Sequence, residues 1–299
     1  MRVTIWGSRG SIASAGPDTV RYGGNTSCLE IVASDGTRLI LDAGTGLRRL
    51  GASLDGGAHI AHLLLTHLHM DHIVGLGFFR PFFDRDAELH VWGPPSTTLD
   101  LRTRLTRYLS PPLFPVRLRD LDSHLELHDV PMKTWPIGPF TVTADLVVHP
   151  GPTVGYRISE GSASIAYLPD HEPALGGLDG EPEWTSGWAL AKGADLLFHD
   201  AQFTQAEYDA RVGWGHSTLD HAVRFAQLAE VGRLVTFHHD PAHDDATLDR
   251  LVEEAQRHAP GLDLSAGCEG TIYELEPRGA SAATGLTAAT PAMNAPLSR

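Results

Sequence analysis

Four side chains that can bind a metal ion occur within six consecutive positions, His67, His69, Asp71 and His72. They directly follow the apolar run 60–65, so we expect them at the end of a strand. Residues two apart on an extended backbone point to the same side, which pairs His67 with His69 and leaves Asp71 and His72 where the chain turns. Imidazole with carboxylate suits Zn²⁺, and a catalytic zinc typically keeps one position open for water. The segment predicts parts of two transition-metal sites; the alternative is a surface histidine cluster without a function.

The elements that must position these side chains are strands for the most part. Short apolar or β-branched runs predict strands at 2–6, 27–33, 38–41, 60–66, 88–92, 140–148, 153–159, 164–168, 196–200, 234–238 and 270–276. Helical periodicity is clearest at 218–230 and 245–258, with Ser217 and Asp244 as capping residues. Strands come first, helices are interspersed and the pattern repeats, which predicts a layered α/β domain with mixed sheets.

Several predicted strands end in a residue with polar chemistry. These residues are Asp42, His67, His149, Asp170 and His238. Repeated placement of this kind is typical of a rigid scaffold that displays one site at the edge of its sheets.

Composition limits the classes of partner. The 37 acidic and 23 basic residues give a net charge of -14, which opposes broad electrostatic binding to nucleic acid or anionic membranes. The two cysteines, Cys28 and Cys268, give no disulfide framework and fit a reducing compartment. The first twenty residues lack an apolar signal-peptide core, and no run of about eighteen apolar residues occurs. These features predict a soluble, cytoplasmic protein that does not bind membranes.

The chain is long enough for one large domain or two small ones, with 299 residues. Positions 278–299 are rich in Ala, Ser, Thr and Pro and lack hydrophobic periodicity, so we expect this tail to be disordered or loosely attached. The remaining 1–277 are then the folded domain.

The segment Thr66-His67-Leu68-His69-Met70-Asp71-His72 resembles the H-x-H-x-D-H signature of the metallo-β-lactamase superfamily in every defining position. The resemblance covers 1–277 and implies a hydrolase domain of the α/β class, an αββα four-layer sandwich with its metal site along one edge. It implies that a first ion is held by His67, His69 and His149, a second by Asp71, His72 and His238, and that Asp170 bridges the two. His239 is the alternative to His238 as the last ligand.

Within the superfamily, the chain is most similar to the phosphodiesterase branch, which includes ribonuclease Z and phosphonate-pathway cyclic phosphodiesterases. The similarity rests on four segments, 24–27, 155–158, 199–201 and 215–218. The ribonuclease pattern has Glu where this chain has Asp200, and no segment looks like the Gly-rich, basic tRNA-binding arm of that enzyme. The resemblance implies a small phosphodiester substrate, such as a cyclic nucleotide, rather than a large nucleic acid.

The resemblance also implies the chemistry. Two Zn²⁺ ions, with Mn²⁺ as the alternative, would share a bridging hydroxide that attacks the substrate. The predicted catalytic residues are Asp71, which is also a ligand, His216, placed to protonate the leaving alkoxide, and Asp200, placed to orient His216. Alternatively, His216 only belongs to a helix-capping environment, and Asp200 and His199 only support metal-binding histidines. Asp42 is expected to support a ligand rather than to catalyse.

Other functions remain open from the sequence. The same hydroxide could hydrolyse a lactone, thioester or β-lactam. Iron redox chemistry is less consistent with the sequence, because His69 stands where diiron flavoprotein relatives carry Glu. A non-catalytic binding protein of this superfamily would be expected to have lost a metal ligand. The Phe-rich segment 77–83 is expected to pack in the core, with a pocket wall or a homodimer interface as alternatives. The arginines at 102, 104, 107, 117 and 119 are expected on a solvated helix face, with phosphate or subunit contact as the alternative.

Overall fold

The computed structural model describes residues 1–54, 59–276 and 288–289. The described strands are β1 (Arg2–Gly7), β2 (Cys28–Val32), β3 (Arg38–Leu41), β4 (Ile60–Leu64), β5 (Glu88–Gly93), β6 (His124–Asp129), β7 (Thr134–Ile137), β8 (Phe140–Leu146), β9 (Val154–Glu160), β10 (Ala163–Leu168), β11 (Leu196–Asp200), β12 (Arg233–Phe237), β13 (Asp263–Ala266), β14 (Ile272–Glu274) and β15 (Ala288–Ala289). The α-helices are α1 (Gly46–Ser53), α2 (Met70–Ile73), α3 (Leu101–Thr106), α4 (Trp188–Ala191), α5 (Gln205–Tyr208), α6 (Leu219–Leu228) and α7 (Asp245–His258).

The strands form two mixed sheets. The first has the order β15-β14-β1-β2-β3-β4-β5-β6 and the second β13-β12-β11-β10-β9-β8-β7. Strands β3 to β6 are parallel in the first sheet, and β10 to β13 are parallel in the second. Parallel strands bring their carboxyl ends to one edge of a sheet, where ligands of open α/β sheets bind. The topology therefore gathers the residues that follow β3, β4, β10, β11 and β12.

Three hydrophobic clusters separate four layers. Alternate residues of a strand point to opposite faces, so Leu64 packs between the two sheets while Leu63 packs outward against α1 and α3. In the second sheet Phe198 packs between the sheets, and Leu197 packs outward in the cluster that contains residues of α4, α6 and α7. Helices thus cover the outer face of each sheet, and the predicted αββα sandwich is confirmed.

Most predicted strands are present, with ends shifted by a few residues, but β6, β7, β13 and β15 were not predicted. Helices α6 and α7 were predicted. Asp244 caps α7 as expected, since its side chain accepts a hydrogen bond from the Thr247 amide. The prediction of Ser217 as the cap of α6 was wrong. Thr218 is the cap, and the Ser217 hydroxyl donates instead to the carbonyl of His171, 2.6 Å away.

Among the described residues, no helix is long and apolar enough to cross a membrane. Cys28 is buried and Cys268 half-buried, and both thiols are free. In the Phe-rich segment, Phe79 and Phe82 are in the core, whereas Phe78 and Phe83 face outward. Apart from β15, the predicted tail 278–299 lies outside the described residues, so its disorder stays a prediction.

Candidate metal centre

The first group of predicted ligands lies at the carboxyl end of β4 and on the loop after β8. His67 follows β4, His69 is on the loop that leads into α2, and His149 comes from the second sheet. The ligand atoms of the three rings all lie within 4.8 Å of one another, and Nε2 of His149 is 3.4 Å from Nδ1 of His69. His67 is buried, while His69 is exposed and leaves one side of the group open to solvent. These three residues could hold one metal ion.

A second group, fully buried, lies beside the first. Asp71 and His72 are in the single turn α2, and His238 directly follows β12. Nε2 of His72 lies 3.3 Å from Oδ2 of Asp71 and 3.4 Å from Nε2 of His238. Nε2 of His238 is 3.1 Å from Oδ2 of Asp71. These residues could hold a second ion.

Asp170, after β10, lies between the two groups. Its Oδ2 is 3.0 Å from Nε2 of His72, and its Oδ1 is 3.3 Å from Nε2 of His238. The same Oδ1 is 3.8 Å from Nε2 of His67 and 3.9 Å from Nε2 of His149. One carboxylate thus faces both groups, which is the position expected of a bridging ligand.

The hydrogen-bond partners of three histidine rings determine which ring nitrogen faces the centre. Nδ1 of His72 is 2.8 Å from the Asp42 carboxylate, Nδ1 of His149 is 2.9 Å from the carbonyl of Gly215, and Nδ1 of His238 is 2.9 Å from Oε1 of Gln202. Each partner is an acceptor, so each Nδ1 carries a proton. The Nε2 atoms of these rings therefore face the centre, where they can bind a metal ion.

Several of these inward atoms lie close enough together to bind one cation. Nε2 of His72 and Nε2 of His238 are 3.4 Å apart, and Oδ2 of Asp71 is next to both. Zinc–nitrogen bonds of about 2.0–2.1 Å in a tetrahedral site place two nitrogens about 3.4 Å apart, so this separation fits one ion. Nε2 of His67 is buried and has no hydrogen-bond partner among the described residues. The donor set thus fits metal ions.

The electrostatics of the centre also favour a positive charge. His72 is fully buried, and burial alone would lower its pKa. The carboxylates of Asp170, Asp71 and Asp42 nevertheless raise that pKa well above its usual value. For His67, by contrast, burial and the neighbouring His72 hold the pKa well below its usual value, which keeps that ring neutral. A neutral ring is the form that binds a metal.

Comparison with known proteins decides the family. The model of the β-lactamase superfamily domain matches residues 37–239. The chain belongs to the β-lactamase superfamily. Ribonuclease Z of Natronomonas pharaonis is 26% identical over an alignment of 300 residues, which covers 85% of this chain and 92% of that protein. Ribonuclease Z of Haloferax volcanii is 29% identical over 284 residues, 80% of this chain and 84% of that protein.

Solved structures agree on the fold. Human tRNase Z, short form, superposes with a TM-score of 0.65 at 21% identity, over 92% of this chain and all of that one. The predicted membership of the metallo-β-lactamase superfamily, with greatest similarity to its phosphodiesterase branch, is thereby confirmed. This superfamily member is a metal-dependent hydrolase. The predicted ligands meet at one edge of this sandwich.

Strained backbone surrounds the centre of this β-lactamase superfamily protein. Asp42 and His238 have φ angles of 59° and 58°, in the left-handed region that non-glycine residues rarely occupy. A Cβ atom on Gly10 would stand 2.2 Å from Nδ1 of His238, and one on Gly215 would stand 2.2 Å from Nδ1 of His149. The two glycines therefore give the imidazole rings the room they need.

Two residues that position the centre were missed by the sequence analysis. The Gln202 side chain binds His238 through Oε1 and reaches the Ser11 hydroxyl, 3.3 Å away, through Nε2. The Ser11 amide in turn donates to Oδ2 of Asp71 at 2.8 Å. The only signal was that Gln202 follows the segment 199–201 that carried the resemblance. As expected, Asp42 supports a ligand, because it accepts from the ring of His72.

The predicted catalytic pair lies beside both groups. Nδ1 of His216 is 2.7 Å from Oδ2 of Asp200, and the His216 ring stacks on that of His238 with centroids 4.9 Å apart. Burial alone would lower the pKa of His216, but the Asp200 carboxylate and two further carboxylates raise it to about 9. Asp200 also accepts from the amides of Gln202 and Ser217. Its position thus suits the role of orienting His216.

The two remaining histidines of interest lie outside the two candidate ligand groups. His239 is buried with its Nε2 3.1 Å from the carbonyl of Gly267. His199 faces His171, with Nε2 of one ring 3.0 Å from Nδ1 of the other. The structure therefore brings His238, rather than His239, into the predicted ligand set.

A cavity of about 520 Å³ opens over the exposed side of the first group. His67 and His69 line its floor, Tyr108 and Leu113 line its wall, and Arg107 stands at its side. Arg104 also reaches the cavity, although its guanidinium donates to the carbonyl of Pro94 at 2.7 Å. Two arginines of the predicted strip thus border the centre, while Arg102 lies on the exposed face of α3.

Proposed function

We propose that this protein is a dinuclear zinc phosphodiesterase that hydrolyses a small phosphodiester, such as a cyclic nucleotide. The observation that carries the proposal is His216 held by Asp200 at 2.7 Å beside a seven-residue ligand set. The ligands are His67, His69, Asp71, His72, His149, Asp170 and His238. Its sequence relatives, named ribonuclease Z, belong to a class of enzyme that cleaves phosphodiester bonds in RNA.

Zinc ions held by these residues would supply the nucleophile, by lowering the pKa of a bound water, and would neutralise charge on the phosphoryl oxygens. The protein contributes the rigid positions of the ligands, since Asp42, Gln202 and Gly215 fix the outer nitrogens of three rings. No Ser or Cys nucleophile is required.

The leaving group needs a proton, and His216 is placed to supply it. Its Nδ1 is held by Asp200, so Nε2 is the nitrogen that can donate to the departing alkoxide. Asp200 stabilises the protonated ring in the correct orientation, as an orienting carboxylate does for a catalytic histidine elsewhere. Asp71, fixed by the Ser11 amide, lies on the same side of the centre and completes the predicted catalytic residues.

The cavity supports a small substrate. Its volume of about 520 Å³ lies within the range of about 300–1,000 Å³ that small-molecule sites occupy. The exposed guanidinium of Arg107 is a local cation that can meet an anionic group of the substrate, in a chain whose net charge is -14. The overall charge opposes tight binding of a long polyanion.

A substrate panel tests the proposal. Cyclic nucleotides, aryl phosphodiesters, lactones, β-lactams and a structured precursor tRNA are incubated with protein whose metal content is measured on the same sample. We expect turnover of the aryl and cyclic phosphodiesters. Metal-loaded protein that left them intact and opened a lactone or lactam would overturn the proposal. Cleavage of the RNA alone would overturn the part that concerns substrate size.

A further inference from the structure

A second cluster of histidine and carboxylate side chains lies on the first sheet and shares no residue with the metal centre. Nδ1 of His90 is 3.1 Å from Nε2 of His128 and 3.3 Å from Oε2 of Glu126. Nε2 of His128 is 3.5 Å from Oε2 of Glu126. Three potential ligand atoms thus converge on one point.

Strand pairing creates this convergence. His90 is in β5, and Glu126 and His128 are in β6, the neighbouring parallel strand. Residues two apart point to the same face, and His90 pairs directly with Glu126 in the register. The positions of the three side chains are therefore fixed by two strands rather than by a loop.

The surroundings of His90 match those of a metal-binding histidine. Its Nε2 lies 3.1 Å from Oε1 of Glu88, a carboxylate that can only accept when ionised. With a proton on Nε2, Nδ1 is the nitrogen that can bind a metal ion in the cluster. A carboxylate on the outer nitrogen is the common arrangement that orients a histidine ligand.

Aromatic packing holds the two rings in place. Trp92 stacks on His128 with centroids 4.2 Å apart, and His62 stacks on His90 at 4.5 Å. These contacts fix the orientation of both rings relative to the Glu126 carboxylate.

The Glu126 carboxylate faces Nδ1 of His90 at 3.3 Å, so the space between these atoms favours a positive charge. A proton on Nδ1 supplies that charge to one pair of atoms, whereas a metal ion is bound by all three ligand atoms at once. Separations of 3.1 to 3.5 Å are those of ligands around a tetrahedral ion with bonds of about 2.0–2.2 Å.

We propose that His90, Glu126 and His128 form a further binding site for a divalent transition metal, with Zn²⁺ the preferred ion. Two imidazoles and one carboxylate suit zinc, and three protein ligands leave a fourth position for water. The ion links β6, the last strand in the described part of the first sheet, to β5. It stabilises this edge and takes no part in hydrolysis.

The test is a count of bound zinc at equilibrium with a chelator-buffered zinc solution. The wild-type protein is compared with the double variant His90→Asn/His128→Gln and with His258→Asn, which removes an exposed histidine on α7. We expect the double variant to bind one ion fewer than the other two proteins. Far-ultraviolet circular dichroism checks that each variant is folded. An equal count in all three folded proteins would overturn the proposal.

A milder variant keeps the test informative if the double variant does not fold. Glu88→Gln removes the charge that orients His90 and leaves all three ligands in place. We expect the affinity for this one ion to fall about 10- to 100-fold, as for other residues that orient a ligand. An unchanged affinity would contradict the assigned site. Because the readout is the difference in zinc count, it does not depend on which substrate the protein hydrolyses.

Discussion

At the scale of single residues, His216 is the group on which the choice of chemistry depends. Asp200 holds its Nδ1 at 2.7 Å, and neighbouring carboxylates raise its pKa to about 9, so a proton is available at neutral pH. A poor leaving group such as an alkoxide needs that proton, whereas an aryl oxide leaves without it. Loss of a general acid should therefore slow the hydrolysis of an alkyl phosphodiester more than that of an aryl phosphodiester.

We predict that His216→Ala lowers kcat for a cyclic nucleotide by about 10²- to 10⁴-fold, the usual contribution of general acid catalysis. For a nitrophenyl phosphodiester the loss should be much smaller, and the bound zinc should not change. Steady-state kinetics on both substrates measures the ratio, with His258→Asn as the control. Equal losses on the two substrates would mean that His216 acts on something other than the leaving group.

Gln202 acts on the centre through the outer nitrogen of His238. We predict that Gln202→Ala weakens the affinity for zinc by about 10- to 100-fold, because the ring loses the acceptor that fixes its orientation. Competition with a chelator measures the affinity. Gln205→Ala, a change of an exposed amide on α5, is the matched control and should bind zinc as the wild type does. Equal affinities for the two variants would contradict this role.

The sequence indicated the candidate ligands but not the residues that contact their outer nitrogens. Histidine and aspartate at a strand end are recognisable from type and spacing, as at His67 and Asp170. The role of Gln202, or of the Gly215 carbonyl, depends on the direction in which a ring nitrogen from a distant strand points. Such a direction is a property of the tertiary structure, and no local pattern encodes it.

At the scale of elements, α6 begins directly after the catalytic segment, and its start is fixed by Thr218. The Thr218 side chain accepts from the His221 amide, and the His221 ring accepts from the Thr218 amide. The residue is buried at 1% exposure. Because Ser217 is engaged with His171, it cannot replace this cap.

We predict that Thr218→Ala lowers the free energy of unfolding by about 1 kcal/mol, the typical cost of losing an N-cap. Thr218→Ser, which keeps the hydroxyl, should lose much less. Urea denaturation followed by circular dichroism measures both. If the serine variant lost as much stability as the alanine variant, packing of the Thr218 methyl group rather than the cap would be the cause.

Two of the strands that the sequence failed to predict share a physical reason. β6 alternates histidine and acidic side chains with leucine and has no fully buried position, and β7 contains Pro136. Both lie at the ends of their sheets in the described part of the chain, where a strand is not covered on every side. Strands with apolar runs, such as β4 and β10, were recognised because both of their faces are mostly buried.

At the scale of the whole molecule, the candidate metal centre takes its ligands from both sheets. His67 and His72 come from the first sheet, whereas Asp170 and His238 come from the second. An ion can be bound by ligands from both sheets only when the sheets are packed together. Its binding free energy therefore adds to the stability of the fold. The sequence indicated the shared edge, because polar residues follow several strands, but not which sheet each strand joins.

We predict that chelation of the metal lowers the melting temperature and that added zinc restores it. At a free zinc concentration 100 times Kd, one site adds about 2.7 kcal/mol to the free energy of unfolding. Differential scanning calorimetry over a zinc series measures the effect. His72→Ala should remove most of the dependence on zinc. If the melting temperature of the wild type did not change with the zinc concentration, that result would contradict a centre that links the sheets.

The most direct test of the account is the dependence of phosphodiesterase activity on the number of bound ions. The protein used carries His90→Asn/His128→Gln, so that the candidate metal centre is its one assigned zinc site. This protein is freed of metal and then titrated with zinc. Bound metal and kcat/KM for an aryl phosphodiester are measured on the same samples. We predict that activity rises to its maximum only as the second ion per chain is bound. Full activity at one ion per chain, or none at two, would contradict the proposed dinuclear phosphodiesterase.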